Sequence, residues 1–176
     1  MTVLRDIDVF SDHDIVHRMT IVSVLVVCAG MVALLAWLAI VGSCEVDGLG
    51  DLVVVTLVTV ASFVAHELVH GLFFRLLGGR GAHVRFGAAA GMLYATCPGL
   101  VLSRTRFLVV LLAPTIVLSV VLGLLGPLVG WPVTAIVSCT IHLSGCTGDW
   151  EFVRSILSDP RVTSCEDTER GIRLLG

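Results

Sequence analysis

The sequence predicts an all-α integral membrane protein of about four transmembrane helices, with room for a small β-hairpin between the second and third. Two observations carry this. Hydrophobic residues make up 56% of the chain and charged residues 14%, far from the balance of a water-soluble domain. Four stretches, Met19 to Gly42, Leu52 to Leu77, Phe107 to Val129 and Pro132 to about Leu157, also reach the roughly 20 apolar residues that a helix needs to cross a hydrocarbon core of about 30 Å. The lipid bilayer is the expected solvent. With a formal net charge of -3, no nucleic-acid partner is expected.

Residues 1–18 alternate acidic and apolar positions (Asp6, Asp8, Asp12 and Asp14 against Ile7, Val9, Ile15 and Val16), which suits a solvated lead-in or a short interfacial segment. The first apolar run is too long for the core of a cleavable signal and is expected to stay. Val41-Gly42-Ser43-Cys44 loosely resembles a lipoprotein cleavage box, but the same length argues against it. Residues 19–157 are expected to form the membrane-embedded domain. Gly78-Gly79 ends the second span, and His83-Val84-Arg85-Phe86 then alternates polar and apolar as a strand does. Gly87 to Gly91 suits a turn, and Met92 to Thr96 could return as a second strand. Pro114 is expected to kink the third span. Residues 158–176 are expected to be a cytoplasmic C-terminal tail.

Every basic residue is arginine. Arg5 and Arg18 precede the first span, Arg75, Arg80, Arg85, Arg104 and Arg106 lie around the segment joining the second and third, and Arg154, Arg161, Arg170 and Arg173 close the chain. The other two loops, Ser43 to Asp51 and Gly130 to Trp131, have none. Positive charge is retained on the cytoplasmic side, so a multi-pass protein of the cell membrane with both termini cytoplasmic is expected. The six cysteines form no C-x-x-C pair, which points to small apolar side chains rather than a redox or all-cysteine metal motif.

His66-Glu67-Leu68-Val69-His70 carries the chemistry. Positions i and i+4 project from one face of a helix about a turn apart, so both imidazoles can reach one Zn²⁺. Glu67 then stands beside the metal and can take a proton from its water. An ionised group at the centre of a spanning helix costs roughly 2.5 to 3.5 kcal/mol, so such a group needs a compensating role. Two histidines leave a catalytic zinc one protein ligand short.

The second and fourth spans run in the same direction, so depths compare by residue count. At about 1.5 Å per residue, His66 and His70 lie roughly 21 to 27 Å past Leu52 and Asp149 lies about 26 Å past Pro132. Asp149 is therefore the expected third ligand. His142, about 15 Å past Pro132, is expected to support a ligand rather than to be one. Glu151 shares the depth of Asp149 but faces away, which makes it the reserve. Cys146, one turn before Asp149, could offer a thiolate. The same i, i+4 histidine spacing at His13-Asp14-Ile15-Val16-His17 lies outside the spans and reads as a solvated turn. The implied reaction is hydrolysis of a peptide bond in a membrane-protein or membrane-peptide substrate, with one zinc per chain and Glu67 as general base. The segment carrying Val84, Phe86, Met92 and Tyr94 could receive an extended substrate by strand addition.

These residues resemble a family of small membrane proteins described as zincin peptidases, formerly a domain of unknown function, similar in plan to the site-2 intramembrane proteases. The resemblance spans roughly Val53 to Leu157 and is anchored on His66 to His70 and on Ser144-Gly145-Cys146-Thr147-Gly148-Asp149. It implies that His66, His70 and Asp149 are zinc ligands and that Glu67 is the catalytic glutamate. Site-2 proteases typically carry Asn and Pro before a Leu-Asp-Gly ligand motif. Here His142 stands where that Asn would be sought, and Leu-Asp-Gly is absent. The alternative is a non-catalytic membrane protein with a structural metal or a polar helix-packing cluster at the same residues. Haem ligation or ion transport would call for axial histidines on different helices or acidic residues along a pore, and neither pattern is present.

Overall fold

The structure is a computed structural model that describes residues 1–8, 12–41, 48–89 and 92–176. Among these the elements run β1 (Val3–Asp8), α1 (His13–Val41), α2 (Leu49–Gly78), β2 (Arg85–Ala89), β3 (Met92–Thr96), β4 (Val101–Ser103), α3 (Arg104–Leu128), α4 (Pro132–Gly145), α5 (Thr147–Ser158), β5 (Ser164–Asp167) and β6 (Gly171–Leu175). Three helices, α1, α2 with its 3₁₀ extension to Gly81, and α3, are long and apolar enough to cross a membrane, and α4 is a shorter apolar helix. The chain is mostly helical with a small sheet, in place of the expected all-α fold. The single helix expected from Pro132 to about Leu157 is two helices divided at Cys146, whose backbone (φ -75°, ψ 0°) closes α4 in a tight turn. Ser144-Gly145-Cys146-Thr147-Gly148 explains the break, because none of these residues favours a helix interior.

Along the spans many large apolar side chains point outward while several polar ones point inward. Leu25 and Val32 on α1, Leu57 on α2 and Leu124 on α3 are all at least 60% exposed, whereas Ser62, Ser138, His142 and Thr147 are buried between helices. In water such a surface would be a large unpaired apolar patch, whereas in hydrocarbon it is the expected arrangement. The helices meet through small residues and hydroxyls. A Cβ built on Gly30 would collide with the Thr140 side chain, and one on Gly126 with Ala135. Ser23 Oγ donates to the Ser144 carbonyl at 2.7 Å and Thr59 Oγ1 to Ser138 Oγ at 3.1 Å, the kind of bond that holds helices together where lipid supplies no hydrophobic drive. Asp12 caps α1, its Oδ1 accepting from the amides of Asp14 and Ile15.

The two chain ends fold together, which corrects the expectation of a solvated lead-in over 1–18 and a tail over 158–176. β1, β6, β5 and β4 form one antiparallel sheet in that order. Its inward residues Ile7, Leu102, Cys165, Ile172 and Leu174 join Ile15, Phe74, Phe107, Val110 and Ile156 in one buried cluster, so the sheet closes over one end of the helices. Arg173 reaches Asp6 at 3.1 Å and Glu166 at 2.9 Å across three strands, a cross-strand charge match. The alternation of Asp6, Ile7 and Asp8 was therefore a strand pattern. The expected hairpin forms a separate two-stranded sheet, Phe86 opposite Ala95 and Gly87 opposite Tyr94, and Val84 lies just before it. Residues 42–47, and with them Cys44 and most of the first loop, lie outside the described residues, as do Ala90 and Gly91 of the hairpin turn.

The end of β3 is clamped to β5 by Asp167, whose carboxylate accepts from Thr96 Oγ1 and from the Cys97 amide at 2.6 Å. Burial pushes this carboxyl up to about 6 against those two bonds, which favour the charged form. Because the folded value lies above the unfolded one, its contribution to stability is greatest below about pH 4 and falls as pH rises toward 6, by roughly 3 kcal/mol in all. Asp167→Asn is expected to flatten the pH dependence of the thermal midpoint between pH 4 and 7. Parallel curves for wild type and variant would show that Asp167 does not titrate in this window.

Candidate metal centre

One stripe of α2 faces inward. Ser62, His66, His70 and Phe74, four residues apart, are its buried side chains along with Gly71, as the 3.6-residue period requires of positions on one face. The two histidines meet the first turn of α5. His66 Nε2 lies 3.0 Å from His70 Nε2 and 3.2 Å from Asp149 Oδ2, and His70 Nε2 lies 3.3 Å from Asp149 Oδ1. A tetrahedral zinc with bonds of about 2.0 to 2.1 Å spaces its donors roughly 3.3 to 3.4 Å apart. The observed separations, each nitrogen measured to a different Asp149 oxygen, lie close to that spacing, and these three residues form a group able to hold a metal ion. Asp149, in the first turn of α5 just after the division at Cys146, lies within reach of both imidazoles.

Each histidine is held from behind. His70 Nδ1 lies 3.1 Å from the Val110 carbonyl oxygen and His66 Nδ1 lies 3.1 Å from His142 Nε2. With Nδ1–H donating in both, each Nε2 turns a lone pair toward Asp149, and three acceptors converge as a dication requires. Val110 is free to accept because Pro114, four residues later inside α3, has no N–H to return the helical bond. The third-span proline thus frees a backbone acceptor for the site. Pro114→Ala would restore a competing donor to Val110, and zinc affinity is expected to fall by about tenfold, the lower end for loss of an outer partner. A competitive chelator titration reads this, and an unchanged constant would mean that the carbonyl serves both donors.

Glu67 is half-buried beside the triangle. Its carboxylate interacts with the backbone amide of Ala95 on β3 and lies within electrostatic reach of His66, His70 and Asp149. The hairpin packs onto the same stretch of helix. A Cβ on Gly71 would lie 2.5 Å from Phe86 Cζ and 3.3 Å from Val84 Cγ1, so the glycine after His70 lets the hairpin approach. Phe86 and Tyr94 keep much of their surface exposed, and Met92 opens β3.

Of the expected residues, His66, His70 and Asp149 converge, Glu67 stands alongside, and His142 backs His66. Glu151 is directed elsewhere, with Arg18 at 2.8 Å and Arg154 at 2.6 Å on its Oε1, and ties α5 to α1. His13 and His17 are exposed in the first turns of α1, away from the triangle. Sequence reasoning missed the Val110 carbonyl, although Pro114 marks it four residues ahead. Cys146, fully buried, stands 3.8 Å from His66 Nδ1 and 3.7 Å from His142 Nε2, so that His66, His142 and Cys146 form a second group able to hold an ion.

A family profile described as "Putative zincin peptidase" matches residues 59–163. No curated protein and no solved structure matches the chain.

Proposed function

From its membership, since the chain belongs to this family of zincin peptidases, and from the geometry above, we propose that it is a zinc-dependent endopeptidase working within the membrane on membrane-associated polypeptides. The observation that carries this reading is the convergence of His66, His70 and Asp149 with a glutamate beside them that is not one of the three donors. His66 Nε2, His70 Nε2 and one Asp149 oxygen would hold the zinc. When bound, the zinc supplies polarisation of the scissile carbonyl and acidification of water. Glu67 accepts the proton of the attacking water and returns it to the leaving amine. A structural metal would require the triangle alone, with no carboxylate poised next to it.

The hairpin receives the substrate. β2 and β3 pair only with each other among the described residues, so each has an edge whose amides and carbonyls can bond an unwound peptide. Ala95 already directs its amide toward Glu67, which would bring a strand laid along β3 close to the base. Val84, Phe86 and Tyr94 then contact its side chains, with Met92 at the start of β3. Unwinding is needed because a helical bond in lipid has its backbone groups paired internally. In this reading α4 and α5 together make the fourth crossing. Both termini, the sheet and the arginines of the second connection lie on the cytoplasmic side, in keeping with the arginine distribution.

The test is cleavage of a single-span reporter peptide co-reconstituted with the chain in lipid vesicles. Hydrolysis stopped by a chelator and restored by zinc is expected. Hydrolysis indifferent to chelation would remove the metal from the mechanism.

A further inference from the structure

His142 and Cys146 are one turn apart at the end of α4, and both are completely buried. With His66 Nδ1 they form a triangle whose sides are 3.1 Å between the two nitrogens, 3.8 Å from Sγ to His66 Nδ1 and 3.7 Å from Sγ to His142 Nε2. A tetrahedral ion bonding sulfur at about 2.3 Å and nitrogen at about 2.0 to 2.1 Å spaces nitrogens roughly 3.3 Å apart and nitrogen from sulfur roughly 3.6 Å. The match is as close as that of the first triangle. The two triangles use opposite nitrogens of the His66 ring, so each can be filled without the two sharing a donor atom. Nothing in the peptidase reading requires the thiol, and a hydrogen bond from His66 to His142 requires no sulfur beside it.

We propose that His66 Nδ1, His142 Nε2 and Cys146 Sγ form a second cation site, selective for a thiophilic dication, that shares the His66 ring with the His66, His70 and Asp149 triangle. Thiolate and imidazole donors select Cd²⁺ or Zn²⁺ over Mg²⁺, Ca²⁺ or Mn²⁺. Binding forms one metal–sulfur and two metal–nitrogen bonds. The Cys146 thiol proton and the His66 Nδ1 proton leave to solvent, no electron is transferred, and with both triangles filled the His66 ring bridges as an imidazolate. Occupation also removes the His66 to His142 hydrogen bond that orients the first site, so excess thiophilic metal slows hydrolysis. That consequence rests on the peptidase reading, whereas the binding does not.

The experiment is equilibrium dialysis of the full detergent-purified chain against excess Cd²⁺, with metal counted by mass spectrometry, the thiolate-to-metal charge-transfer absorption recorded, and the ligand shell read by X-ray absorption. Two Cd²⁺ per chain with sulfur in the shell are expected for wild type. One Cd²⁺ and no charge-transfer band are expected for Cys146→Ser, while His70→Ala keeps the band and loses the other ion. A shell without sulfur in wild type, which depends on no variant folding, overturns the proposal, as does a band that survives Cys146→Ser. If instead the first triangle holds no metal, wild type binds one Cd²⁺, His70→Ala leaves that ion and its band unchanged, and the Cys146 site stands.

Discussion

Glu67→Gln is expected to lower peptide hydrolysis by about 10²- to 10⁴-fold, the usual contribution of a positioned acid or base, with zinc bound at wild-type occupancy. The amide keeps the shape of the carboxylate and its contact with the Ala95 amide, but it cannot accept a proton from water. Metal should be unaffected because the three converging donors are His66, His70 and Asp149, not Glu67. Zinc content and vesicle cleavage measured on the same preparation separate the outcomes. Loss of metal together with activity would make Glu67 a ligand, and full activity would place the base elsewhere.

The second large effect is on affinity. Asp149→Ala removes the only one of the three donors that lies outside α2, leaving two imidazoles, fewer than the three protein ligands of a catalytic zinc site. Zinc affinity is expected to fall by more than about 100-fold, beyond the roughly 10- to 100-fold typical of an outer partner. His142→Ala is the internal comparison. It removes the group behind His66 Nδ1 but no member of the triangle, so its loss should stay within that smaller range. Equal loss from the two variants would make His142 a ligand as well, and zinc retained by Asp149→Ala would take that carboxylate out of the metal shell.

Much of the site was legible because its signals are local or additive. The i, i+4 spacing of His66 and His70 is a property of one helix, and counting residues at a fixed rise brought Asp149 to the same depth although 79 residues separate it from His70. The same count assumed one continuous helix from Pro132. It could not anticipate the division at Cys146, because a run of weak helix formers lowers the cost of a break without fixing where it falls. The Val110 carbonyl escaped notice since a backbone acceptor carries no side-chain signature, although Pro114 signals which one is released. The sheet made by the chain ends was hidden for a different reason. Asp6, Ile7 and Asp8 at one end and Ile172, Arg173 and Leu174 at the other each alternate over too few residues to stand out, and their pairing spans nearly the whole chain. The three long spans were the easiest to read, because composition alone decides them.

The most direct measurement is the metal content of the detergent-purified protein by mass spectrometry, comparing wild type with a His66→Ala, His70→Ala double variant. At least one zinc per chain in the wild type, lost in the variant, is the predicted result. No metal in either, after purification without chelator and with zinc supplied, would contradict the account and leave His66, His70 and Asp149 as a polar cluster that holds helices together.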